Sequence, residues 1–73
     1  MEYLELRNAV TDTLREMGGR AGTMQLSHYL SSAKGYSFER EVFDRAVSDL
    51  VLEGEIQSLS ECDGKPTHIS LDM

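Results

Sequence analysis

The stretch of this chain that decides its fold is SFEREVFDRAVSDLVLEG, from Ser37 to Gly54, which runs directly into Glu55-Ile56. Its apolar residues recur at spacings of three and four, the period of a helix with one buried side. The expected buried stripe is Phe43, Ala46, Val47, Leu50 and Val51. Ser37 is a suitable N-cap, Glu39 places negative charge in the first turn, and Gly54 suits a C-terminal cap. The stretch therefore predicts one amphipathic helix.

The opposite side of this helix is polar and largely acidic. At 100° per residue it centres on Glu41, Arg45, Ser48 and Leu52, with Asp49 alongside. Glu41 and Arg45 stand four residues apart in the favourable order, so we expect an ion pair worth roughly 0.3 kcal/mol.

Two shorter helices are predicted before this one. The first runs from Tyr3 to Met17 and ends at Gly18-Gly19, while Arg20-Ala21 could add one brief strand. The second takes Thr23 as its N-cap and closes between Ser31 and Gly35. The face of the second helix expected to be buried holds Leu26, Tyr29, Leu30 and Ala33.

A β-hairpin is predicted after the third helix, because Asp63-Gly64 is a strong type I′ turn pair. The turn sets a register that pairs Cys62 with Lys65, Glu61 with Pro66, Ser60 with Thr67, Ser58 with Ile69, and Ile56 with Leu71. The inner face would hold Ile56, Ile69 and Leu71, and the outer face Gln57, Leu59, His68 and Ser70. Pro66 would then cost no hydrogen bond within the hairpin.

Length, charge and composition limit what the chain can be. Its 73 residues predict a single domain over residues 1–73, without a membrane-spanning segment or a signal peptide, and a cytoplasmic location. The single cysteine and two histidines lack the spacing of a zinc site, and no nucleophile or phosphate loop is evident. We therefore expect no enzymatic activity, no cofactor and no metal.

The order helix, helix, helix, hairpin resembles the winged-helix superfamily, and the resemblance covers essentially the whole chain. The residues that carry it are those from Thr23 to Leu30 as the second helix and from Phe43 to Ile56 as the third helix running into the wing. The fold that this resemblance implies is α+β and mainly α. It has three helices and a C-terminal hairpin, with a possible third strand near Arg20-Ala21. No narrower family follows from these residues.

The resemblance implies a small DNA-binding or transcriptional-regulator-like protein. By position, Arg45 and Ser48 would face bases, while Arg20, Lys34, Arg40 and Lys65 could reach phosphates. The net charge of −6 opposes binding to a polyanion, although no acidic residue falls between Gly18 and Phe38. Few cations predict weak or assisted contact with DNA.

The alternative is a winged helix that binds a protein partner or forms a homodimer and does not bind DNA. Glu41, Leu52 and Leu59 would belong to that interface, because the helix and strand patterns point both leucines outward. Exposed apolar residues among carboxylates suit a protein surface better than DNA. Isolated exposed leucines are also ordinary on protein surfaces.

Overall fold

The computed structural model describes residues 1–71 and is an α+β fold that is mainly helical. The elements follow in the order α1 (Tyr3–Glu16), β1 (Arg20–Gly22), α2 (Thr23–Ser32), α3 (Arg40–Leu52), β2 (Ile56–Cys62) and β3 (Lys65–Leu71). The three helices, the C-terminal hairpin and the brief strand after the first helix are those expected from the sequence. Within residues 1–71, no helix is long and apolar enough to cross a membrane.

The N-cap of α3 lies two residues later than the sequence predicted. Glu39 is the N-cap, with an extended backbone and no side-chain capping bond, and Ser37 lies exposed in the preceding loop. Phe38, just before the cap, stacks on Phe43 with ring centroids 5.6 Å apart. This contact between the N′ and N4 positions is a hydrophobic staple, which fixes where the chain enters the helix. The packing of two aromatic rings therefore sets the helix start, and Ser37 has no capping role.

The faces of α3 agree with the predicted stripe. Phe43, Ala46, Val47 and Leu50 are buried, and Val51 is half-buried against them. On the outer side Glu41, Arg45, Ser48 and Leu52 are exposed. The ion pair at spacing four is Arg40–Asp44, whereas no ion pair joins Glu41 to Arg45 within residues 1–71.

Helix α2 buries a different face from the one expected. Leu26 and Leu30 are buried as predicted, but Tyr29 and Ala33 are exposed, and Thr23 joins the buried set. Thr23 is not the N-cap, which is Gly22; its hydroxyl donates to the carbonyls of Pro66 (3.1 Å) and Thr67 (3.4 Å). The buried side of α2 therefore includes Thr23, which bonds the hairpin, and leaves out Tyr29 and Ala33.

The three strands form one antiparallel sheet in the order β1-β3-β2. Asp63 and Gly64 both have positive φ, as a type I′ turn requires. The predicted pairs hold at Cys62–Lys65, Glu61–Pro66, Ser58–Ile69 and Ile56–Leu71. Pro66 lies beyond the end of β1, which pairs only with residues 68–70 of β3.

The register is wrong in the middle of the hairpin, where Ser60 pairs with His68 and not with Thr67. One residue is skipped on β3 and then one on β2, so the shifts cancel before Ser58. The prediction treats the hairpin as two strands that pair regularly with each other alone. In the structure β3 also pairs with β1 on its other edge, and its Pro66 carbonyl accepts a hydrogen bond from Thr23. Pairing with β1 also explains why Ser70 is buried, although it was predicted to face outward: Ser70 lies opposite Arg20 of β1.

The core lies between the helices and the inner face of the sheet. Its largest fully buried side chains include Leu6 and Leu14 of α1, Leu26 and Leu30 of α2, Phe43 of α3, and Ile56 and Ile69 of the hairpin. Leu71, predicted on the same face, is half-buried. Within the described chain every buried side-chain nitrogen and oxygen has a hydrogen-bond partner. The helices and the hairpin are thus held by one shared core, which fixes α3 relative to the hairpin.

Candidate nucleic-acid interface

A groove of about 310 Å³ runs between α3, the first residues of α2 and the turn end of the hairpin; we call it the α3–hairpin groove. Phe43 and Val47 of α3 line it on one side, and Met24 and Pro66 border it on the others. The same apolar packing that builds the core therefore sets the spacing of these walls. The fold therefore fixes the backbone positions from which the charged side chains on the rim extend.

Four of the six residues predicted to contact DNA line this groove. Arg40, Arg45 and Ser48 come from α3, and Lys65 comes from the first position of β3. Among residues 1–71, Asp44 supplies the one carboxylate that lines the groove with these three cations. A chain with a net charge of −6 thus has a locally cationic groove. Charge complementarity favours an anionic ligand there.

Asp44 contacts two of the three cations, and they come from different elements. Arg40 Nε donates to Asp44 Oδ1 at 3.1 Å, and Lys65 Nζ lies 3.8 Å from Oδ2. The Arg40 guanidinium also lies 6.0 Å from the centre of the Phe43 ring and 3.1 Å from Met24 Sδ. Arg40 therefore lies along the groove wall, in contact with Asp44, Phe43 and Met24.

Arg45 is the groove cation that makes no ion pair within residues 1–71. It is exposed, and Ser48 is exposed beside it on the same face of α3. Arg45 also lines an adjoining cleft of about 380 Å³ with Tyr3, Glu41, Val42 and Asp49. Its guanidinium is free to bind a ligand in either depression.

Side chains of α1 contact two carboxylates, one on α3 and one on the residue that caps its C-terminus. The Tyr3 hydroxyl donates to Asp49, and this hydrogen bond raises the pKa of Tyr3 above its ordinary value. Arg7 Nη2 lies 2.5 Å from Glu53 Oε1, and the hydrogen bond raises the pKa of Arg7. Glu41 is exposed and has no ion pair in the described chain. The carboxylates of Asp49 and Glu53 are therefore partnered by side chains of α1, although only Arg7 brings an opposing charge.

The other two predicted DNA contacts lie outside the groove. Lys34 follows α2 and bonds Glu16 of α1, with Nζ 2.8 Å from Oε2, and that bond raises the pKa of Lys34. Arg20 is exposed on β1, at the opposite edge of the sheet from β2. The fold brings neither residue to the three groove cations.

The residues predicted for a protein interface are exposed, as expected. Leu52 is 84% exposed at the last position of α3, and Leu59 is 50% exposed on β2. Neither leucine lines the α3–hairpin groove, and Glu41 lines only the adjoining cleft. A protein partner would therefore use a surface different from the cationic groove.

Metal-binding clusters of histidine, cysteine and carboxylate side chains do not occur within residues 1–71. His28 is exposed on α2, and Cys62 is exposed on β2 with its sulfur 4.0 Å from Asp63 Oδ2.

Sequence reasoning missed Asp44, the one residue that connects two groove cations. The ion pair between Arg40 and Asp44 joins residues four apart on one helix, so the sequence predicts it by the same rule that predicts a Glu41–Arg45 pair. The contact between Asp44 and Lys65 joins residues 21 positions apart in the chain, so it depends on where the hairpin lies against α3.

Comparison with known proteins adds no relative: no protein-family model, no curated protein and no solved structure matches this chain.

Proposed function

We propose that this chain is a small winged-helix, transcriptional-regulator-like protein that binds duplex DNA through the α3–hairpin groove. The observation that supports the proposal is the charge of this groove: three cations and one carboxylate meet there in a chain of net charge −6. In this proposal α3 enters the major groove and the hairpin lies along the backbone. Cofactors and catalysis have no part in it, and the proposed location is the cytoplasm.

Each groove side chain has a separate role in this proposal. Arg45 and Ser48, exposed on one face of α3, contact base edges. Arg40 and Lys65, on the two walls of the groove, contact phosphates. Arg20 and Lys34 are left out, because Lys34 is held by Glu16 and neither lines the groove. With so few phosphate contacts, the affinity is expected to be weak and its dependence on salt shallow, because each phosphate neutralised adds to both.

Fluorescence anisotropy with a labelled duplex of mixed sequence tests the proposal. At ~50 mM salt we expect saturable binding that weakens as salt is raised, because each phosphate contact releases counterions from the DNA. The matched control is the same titration with a neutral peptide-nucleic-acid duplex, which has no phosphates. No binding of DNA at ~50 mM salt, where the electrostatic attraction is near its largest, would contradict the proposal.

A second candidate function is a protein-interaction or dimerisation module, and the exposure of Leu52 favours it. A leucine that is 84% exposed at the end of a helix adds apolar surface that a partner could cover. Light scattering after size exclusion, on the wild type and on Leu52→Ser, tests the homodimer version. A dimer that becomes a monomer in Leu52→Ser supports the homodimer version, and a wild-type monomer contradicts that version.

A further inference from the structure

The two groove cations bound by Asp44 are arranged as a binding pair for a single anion. Arg40 approaches one carboxylate oxygen and Lys65 approaches the other, at 3.1 Å and 3.8 Å. A phosphodiester also presents two oxygens that share one negative charge, and arginine binds carboxylate and phosphate with the same geometry. The position of the Asp44 carboxylate is therefore chemically equivalent to that of a bound phosphate.

The contacts of Asp44 can be exchanged at little cost. The Arg40 side chain is 51% exposed and that of Lys65 is 73% exposed, so both charged groups can turn outward. Ion pairs in such exposed positions contribute little net stability, because water and salt screen them. Asp44 itself is held more firmly, since its side chain is 31% exposed on α3. The cations can move to a ligand while the carboxylate stays in place.

We propose that Arg40 and Lys65 form a phosphate subsite of the α3–hairpin groove, and that Asp44 occupies this subsite in the free protein as an internal competitor. The inference rests on the proposed DNA binding and deepens it by assigning one backbone phosphate to two named residues. Binding then exchanges a carboxylate for a phosphate, so the subsite adds little to the affinity. Arg45, which has no ion pair in the described chain, supplies most of the attraction.

Duplex titrations of Asp44→Asn and Lys65→Gln, alone and combined, test this subsite. Removing the competitor should tighten binding roughly three- to tenfold at ~50 mM salt and steepen the salt dependence by about one phosphate contact. Lys65→Gln should weaken binding little in the wild type but severalfold in the Asp44→Asn background. This coupling is the result that separates competition for Lys65 from a general change of charge.

Asp12→Asn is the matched control, because Asp12 also pairs with an arginine of its own helix, Arg15, and lies outside the groove. It should leave the affinity close to that of the wild type. If Asp44→Asn binds no more tightly than Asp12→Asn, or if Lys65→Gln has the same effect in both backgrounds, the subsite is wrong while the proposed function stands. If neither the wild type nor any variant binds the duplex, the proposed function itself fails.

A measurement on the wild-type protein needs no substitution. The ¹³C carboxylate resonance of Asp44 should shift when the duplex is added, because its bond from Arg40 is exchanged for solvent. The Asp12 resonance should not shift. An Asp44 resonance that stays in place at saturating duplex would overturn the competition.

Discussion

Tyr3, the first residue of α1, donates a hydrogen bond to Asp49 of α3, which lies 46 positions further along the chain. Asp49 belongs to the outer, acidic side of α3, so the bond covers a carboxylate that would otherwise be exposed. It also ties the start of α1 to the helix that lines the proposed site. The bond exists only while Tyr3 keeps its proton.

The first prediction concerns the stability of the protein at alkaline pH. The bond to Asp49 raises the pKa of Tyr3, so its contribution to stability is complete below the ordinary pKa of about 10 and is lost as the pH rises through the folded-state value. Wild type should therefore exceed Tyr3→Phe in stability at neutral pH and lose this advantage above pH ~10. Urea denaturation across this range checks it. A difference between the two proteins that does not change with pH would contradict the assignment.

The second prediction compares the same substitution inside and outside the core. Leu30 is fully buried between the helices and the sheet, so Leu30→Ala should lower the free energy of unfolding by about 2–5 kcal/mol. Leu52→Ala, at an exposed position, should change it by less than about 0.5 kcal/mol. Urea denaturation followed by circular dichroism measures both. Equal losses would show that Leu52 is covered in solution, as the protein-interaction candidate requires.

The third prediction concerns the hairpin turn. Gly64 has φ +77°, a left-handed conformation that costs a residue with a Cβ about 1–2 kcal/mol. Gly64→Ala should therefore destabilise the protein by about this amount, and Gly64→Asn by less, since asparagine adopts this conformation more readily. No atoms lie within 4 Å of a Cβ placed at Gly64, so the effect comes from the backbone alone. Thermal unfolding gives the order, and an alanine variant as stable as wild type would contradict the turn geometry.

The fourth prediction assigns Arg45 to base contact. Arg45→Ala should weaken binding to a preferred sequence by about 1–3 kcal/mol, because a bidentate arginine contact discriminates between bases by that amount. The preferred sequence would first be selected from a random duplex pool. Arg15→Ala, which removes an exposed arginine from α1 outside the groove, is the control. Equal effects of the two variants on all sequences would remove Arg45 from the site.

The buried stripe and the turn are the features that the sequence predicted best. Phe43, Ala46, Val47 and Leu50 are buried because helical periodicity puts them on one side whatever packs there. Asp63-Gly64 forms its turn because few dipeptides accept two positive φ angles. Both features depend on residues close together in the chain.

The N-cap of α3 was missed because of a local contact between Phe38 and Phe43, whereas two other errors concern positions where a distant residue decides the outcome. Thr23 was expected to cap α2, but its hydroxyl bonds the hairpin at Pro66. Ser60 was expected opposite Thr67, but β1 and α2 hold β3 from its other side. The local preferences, of threonine for an N-cap and of the hairpin for a regular register, were outweighed by other contacts. For Thr23 the contact is with a residue 43 positions away, and for Ser60 it is the pairing of β3 with β1.

The sequence by itself determined the element order, the α+β class, the inner face of α3 and the turn of the hairpin. These follow from periodicity and backbone preference, which act over a few residues. Only the tertiary structure decided the partners of the acidic side chains: Asp44 with Lys65, Asp49 with the Tyr3 hydroxyl, and Glu53 with Arg7. Pairing between charges on different elements depends on how the core packs those elements together. For that reason the groove is cationic although the chain is acidic.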